Sequence, residues 1–206
     1  MRRNFPTYAF GGGVGLDYEP PAAASTPPPI SVALLGHSYV RNLFRGPYLV
    51  KEPYVFHNLG VRGATLDNIE GSEAWERLQI LFPSLTIILI GGNDINPTTQ
   101  PRELATRIQA LAQRVEEVTG SRVLICTIEV RLRPRGVSHQ QFNAVKNATN
   151  RWLRRVLPYT KARCHPCGVK ADHIGLDGIH LNEVGLARMM DTMFAMTRDC
   201  LSQNQL

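Results

Sequence analysis

The chain has 206 residues, 43% of them hydrophobic, which is enough for one domain with a substantial core of its own. Its formal charge of +6 and pI near 9.4 favour an acidic or polyanionic partner, although charge governs association and solubility rather than fold. No run approaches the roughly 18 apolar residues of a membrane span, the N-terminus lacks a secretory pattern, and Cys126, Cys164, Cys167 and Cys200 are too scattered for a disulfide-dense secreted scaffold. An intracellular protein with reduced thiols is expected.

Residues 1–30 carry glycine, alanine and proline runs with no apolar period that could bury a face, so they read as a disordered leader ahead of a domain over 31–206. From residue 31 short apolar runs alternate with longer helical periods. "SVALLG" (31–36), "YVFHNLG" (54–60), "TIILIGG" (86–92), "RVLICTIEV" (122–130) and, more weakly, "KARCHP" (161–166) read as strands. The strongest of these are continuous branched-aliphatic runs, as expected of parallel strands buried on both faces. Helical spacing covers about 67–81, 101–119, 138–157 and 182–200, with Pro101 and Gly120 as start and stop signals for the second. This alternation predicts a three-layer α/β/α sandwich around an open, mostly parallel five-stranded sheet of flavodoxin-like type. No internal repeat is evident.

Open parallel sheets bind ligands at the carboxyl ends of their strands. Gly36 to Ser38, Gly60 to Gly63 and Gly91 to Asp94 all fall there. A serine hydroxyl needs a histidine to take its proton and a carboxylate to hold that histidine in the right tautomer. Ser38, His180 and Asp177 are candidates for these roles, the last two being three apart in "DGIH". Acyl transfer also needs donors for the oxyanion. The Asn93 amide and the Gly63 N–H suit that task, with the Ser38 N–H as a third.

Taken together, "LLGHSYV" (34–40), "NLGVRGAT" (58–65), "IGGND" (90–94) and "DGIHLN" (177–182) resemble, in order and placement, the four blocks of the SGNH or GDSL-like hydrolases. The resemblance covers essentially residues 31–200. It implies a serine esterase with Ser38 as nucleophile, Gly63 and Asn93 in the oxyanion hole, Asp177 and His180 completing the triad, and no cofactor. "GHSYV" is also similar to SGNH-like esterase domains of eukaryotic mobile-element proteins. The α/β-hydrolase pattern G-x-S-x-G is broken by Val40. One position departs from the family: His37 stands where aspartate usually precedes the serine. A catalytically silent binding module of the same fold is therefore an alternative.

Other features have plainer readings. "CHPC" (164–167) has the spacing of half a zinc site, but no second half accompanies it, so no metal is expected. Trp75 and Trp152 sit in helical periods and belong to the packing. The arginines of "VRLRPRG" (130–136), Arg131, Arg133 and Arg135, follow a strand that runs to the candidate edge. They are expected to bind negative charge on a small-molecule, lipid or carbohydrate ester, or else to form a solvated loop. Basic residues could also meet nucleic acid through phosphates as part of a larger mobile-element protein, though no nucleic-acid motif accompanies them.

Overall fold

The structure, a computed structural model, describes residues 28–156 and 163–202. The expected leader falls almost wholly outside them, as do Lys161 and Ala162 of the last expected strand. The described chain runs β1 (Ile30–Gly36), α1 (Ser38–Arg41), β2 (Tyr48–Lys51), β3 (Tyr54–Gly60), α2 (Glu73–Leu81), β4 (Leu85–Leu89), α3 (Pro101–Thr119), β5 (Arg122–Cys126), α4 (His139–Val156), β6 (Arg163–His165) and α5 (Glu183–Ser202).

The strands form one sheet in the order β2-β3-β1-β4-β5-β6, parallel throughout except where β2 pairs antiparallel with β3. The sheet thus has six strands among the described residues, one more than the sequence pattern predicts. The added strand, β2, is a short edge with mostly exposed side chains, so it carries no buried apolar run to betray it.

Both faces of the sheet are covered, and β1 shows how. Ala33 and Leu35 point into a core shared with α2, α3 and α4, while Val32 and Leu34 point into a second core with α1 and α5. The period-2 alternation of a strand sends neighbouring residues to opposite layers, so both must be apolar. Helix α3 answers with Leu104, Ile108, Leu111 and Val115 on one buried face. Pro101 begins it, and Gly120, at a φ of 67°, closes it by donating its N–H to the Glu116 carbonyl at 2.8 Å. Met189, Met193 and Met196 form the corresponding stripe of α5.

The topology gathers three strand ends at one edge. β1 is central, flanked by β3 and β4, so Gly36, Gly60 and Leu89 end side by side. Two glycines there leave no room for a side chain. A Cβ on Gly36 would lie 2.0 Å from the Leu89 carbonyl oxygen, and one on Gly60 would lie 2.1 Å from the Arg41 backbone nitrogen. The first lets β1 and β4 close up at their ends, and the second lets the end of α1 lie directly against β3.

Candidate active site

Helix α1 is a single turn, and its first residue is Ser38. His37 caps it: the ring Nδ1 accepts the Tyr39 N–H at 3.3 Å, and the His37 N–H donates to the Leu89 carbonyl at 3.2 Å. A side-chain acceptor at this position is what a helix N-terminus calls for. The imidazole supplies it only while neutral. His37 is 4% exposed, and burial, reinforced by the charges of Arg131 and His180, pushes its pKa down to about 3. Ser38 itself is largely covered, and its hydroxyl has no hydrogen-bond partner among the described residues.

The last block folds into a tight loop. Gly175 N–H bonds the His180 carbonyl at 2.7 Å, and Gly178, at a φ of 72°, donates to the Gly175 carbonyl at 2.9 Å. Within this loop Asp177 does two jobs. Its Oδ1 accepts the backbone N–H groups of Ile179 and His180, both at 2.9 Å, and its Oδ2 lies 2.5 Å from His180 Nδ1. These bonds, the Ile179 N–H foremost and then the His180 ring, hold the Asp177 carboxyl near a pKa of about 2. A carboxylate at Nδ1 requires that nitrogen to carry the proton, which leaves Nε2 as an acceptor. That is the tautomer a general base needs.

Tyr39 joins the first and last blocks. Its hydroxyl reaches the carbonyls of Ile179 and Val130, the residues beside His180 and Arg131. The second and third blocks are joined in the same way. Asn93 Nδ2 donates to the Ala64 carbonyl at 2.8 Å, next to Gly63, whose positive φ of 72° turns the loop. Leu66 N–H donates to Asp94 Oδ1 at 2.9 Å and ties the loop again. Thus Ser38, Gly63 and Asn93 follow strands that end at one edge, and the blocks are bonded to one another in two pairs, the first with the last and the second with the third.

The three arginines do not act as a set. Arg131 turns inward and is 6% exposed, with Nη2 donating to Asn93 Oδ1 at 2.8 Å. Arg133 and Arg135 stay exposed. The divergence has a backbone cause: the Gly178 carbonyl accepts from both Leu132 and Arg133 N–H, at 2.8 and 2.9 Å, and draws the Arg133 stem across Gly178. Arg131 is left facing Gly92, where a missing Cβ makes space for a guanidinium. The sequence holds no signal for the inward turn, nor for Tyr39 as a tie between blocks.

Beside α1 lies a cleft of about 770 Å³ lined by Arg41, Arg45, Arg77, Asn58 and Leu186. It begins one turn beyond Ser38 and carries three cations without a carboxylate partner among the described residues. Away from the edge, Cys164 and Cys167 are free thiols, with Cys167 buried beside Cys126. Among the described residues no group of three or more His, Cys, Asp or Glu side chains is arranged to hold a metal ion, and no helix is long and apolar enough to cross a membrane.

A family model described as GDSL-like lipase/acylhydrolase matches residues 24–188. Among solved structures, a carbohydrate esterase of family 3 from Talaromyces cellulolyticus is similar at 14% identity, covering 84% of this chain and 99% of its own, with a TM-score of 0.60. A carbohydrate acetylesterase from Sinorhizobium meliloti matches at 19% identity with the same coverages and TM-score. An acetyl xylan esterase matches at 17%, covering 81% of this chain and 99% of its own, with a TM-score of 0.58. At these identities the likeness is one of fold. No curated protein sequence matches the chain. Nothing in these likenesses supports a nucleic-acid partner.

Proposed function

Because the chain belongs to the GDSL-like lipase/acylhydrolase family and is thus an ester-hydrolysing enzyme, we propose that it cleaves short acyl esters, acetyl esters first among them, through Ser38, His180 and Asp177. The observation that carries this reading is the Asp177–His180 pair, 2.5 Å apart, with the carboxylate pinned by two backbone N–H groups. His180 Nε2 takes the Ser38 hydroxyl proton as Oγ attacks the carbonyl carbon. The carbonyl oxygen gains charge and is met by the free Asn93 N–H and the backbone N–H groups of Gly63 and Ser38. Collapse expels the alcohol, which leaves with the proton from His180. Water, deprotonated by the same ring, then releases the acid and restores Ser38.

The choice of acetyl rests on the names of the structural neighbours, several of which are acetyl esterases. His37, the departure that suggests a silent module, supports competence instead, since its Nδ1 provides the helix-cap acceptor that an aspartate would. The test is hydrolysis of p-nitrophenyl acetate, butyrate and octanoate by the native enzyme and by Ser38→Ala. The native protein should turn over acetate best, and the variant should lose turnover with its thermal midpoint little changed. Retained hydrolysis by Ser38→Ala would end this reading.

A further inference from the structure

We propose that Arg131, which lies outside all four blocks, is a positioning residue of the oxyanion hole: it fixes the orientation of the Asn93 carboxamide and adds a positive charge behind it. The inference rests on the esterase reading above. A carboxamide has two ends of nearly equal size, and only one of them helps. If Asn93 were flipped, its Oδ1 would face the developing oxyanion and repel it.

Two contacts forbid that flip. Arg131 Nη2 donates to Oδ1 at 2.8 Å, and the Ala64 carbonyl accepts from Nδ2 at 2.8 Å. A guanidinium can only donate and a carbonyl can only accept, so the reversed amide would set donor against donor and acceptor against acceptor. Nδ2 carries two hydrogens, and Ala64 uses one. The other is left for substrate. Drawing electron density toward Oδ1 also makes the remaining N–H a stronger donor.

The surroundings of the guanidinium argue against a purely structural arginine. It is 6% exposed, yet no carboxylate pairs with it among the described residues. The groups in contact with it are neutral, namely the Asn93 oxygen, the Tyr39 hydroxyl, the bare Gly92 backbone and the Phe142 ring at 5.7 Å, while the Asp94 carboxyl and Arg135 act on it only from beyond ion-pair distance. Burying a charge with no carboxylate in contact is costly for stability. The oxyanion that develops on the substrate beside Asn93 would offset that cost, so the charge interacts more strongly with the transition state than with the bound ester.

The test is a double-mutant cycle on p-nitrophenyl acetate hydrolysis with Arg131→Met, Asn93→Ala and the pair, each variant also checked for its thermal midpoint. Arg131→Met should lower kcat roughly 10- to 100-fold with KM within about threefold, and in the Asn93→Ala background the same change should cost less than about threefold. Arg131→Lys, which keeps charge but not the fork, should fall between; it carries the cycle if the methionine variant does not fold. Native-like kcat in Arg131→Met, or a loss that multiplies in full on Asn93→Ala, would overturn the proposal. If Ser38→Ala or Asn93→Ala left turnover intact, the esterase reading itself would fail, which is a different result.

Discussion

Replacing His37 by asparagine keeps the helix cap and removes the ionisable ring, because an asparagine oxygen can accept the Tyr39 N–H as the imidazole nitrogen does. In the unfolded chain the ring has its ordinary pKa of 6.5, whereas in the folded protein burial holds it near 3. Between those values the unfolded state binds a proton that the folded state refuses. Stability therefore falls as pH drops below 6.5 and goes on falling until about 3. At pH 4.5 the gap from 6.5 is two pH units, and at 1.36 kcal/mol per unit the native protein loses about 3 kcal/mol through this one group. Asp177, held near 2, contributes its own acid loss only at lower pH. His57 and His165, lowered by burial, and Asp94 and Glu129, raised by it, also titrate. They are common to both proteins and cancel in the comparison. Urea unfolding of the native protein and His37→Asn at pH 7.5 and 4.5 measures the difference directly. The stability gap should move by about 3 kcal/mol toward the asparagine variant in acid. A gap constant to about 0.5 kcal/mol would refute the reasoning, since it would mean that the folded ring accepts its proton as readily as the unfolded one.

Asp177→Asn should lower kcat on the order of a thousandfold or more by losing the Nδ1–H tautomer of His180, with little change in thermal midpoint because the carboxylate is half exposed; pre-steady-state and steady-state ester hydrolysis measure it. Gly60→Ala should destabilise the fold by roughly 2–4 kcal/mol in urea, since the new methyl meets the Arg41 backbone rather than a side chain that could move. Substituting Arg41, Arg45 and Arg77 together by glutamine should raise KM for a p-nitrophenyl hemisuccinate while sparing the acetate, and added salt should do the same to the native enzyme. Equal effects on both esters would leave that cleft without a part in substrate choice.

Much of the architecture can be read from the chain because its signals are local. Strands β1 and β4 announce themselves as continuous apolar runs, and α3 is bracketed by Pro101 and Gly120. Where the pattern misleads, a distant partner is responsible. "RVLICTIEV" reads as one strand, yet β5 stops at Cys126. Ile128 beyond it is paired at N–H and carbonyl by the Asn150 carboxamide of α4, each at 2.9 Å, which does the work of a neighbouring strand. Helical spacing from residue 67 is likewise deceptive. Leu66 and Ile69 lie in turns closed by Asn68 and Thr65, and α2 starts only after Ser72, whose side chain caps it.

The candidate site divides along the same line. Its four blocks are short enough for a sequence to carry, and the meeting of the first three follows from parallel strands that end at one edge. The direction of a loop side chain is not carried in that way. Arg131, Arg133 and Arg135 alternate as though they shared a face, and only the Gly178 carbonyl, more than forty residues on, breaks the alternation. That carbonyl lies between Asp177 and His180, so the loop that holds the base also decides which arginine is buried. The coupling gives Arg133 and Arg131 distinct signatures. Removing the exposed Arg133 and Arg135 charges should weaken anionic esters alone, as screened surface charges do. Removing Arg131 should slow neutral and anionic esters equally, because its contact is with Asn93 and reaches every substrate through the same oxygen. A selective loss of anionic esters on Arg131→Met would return that residue to the substrate's charge and take it away from the oxyanion.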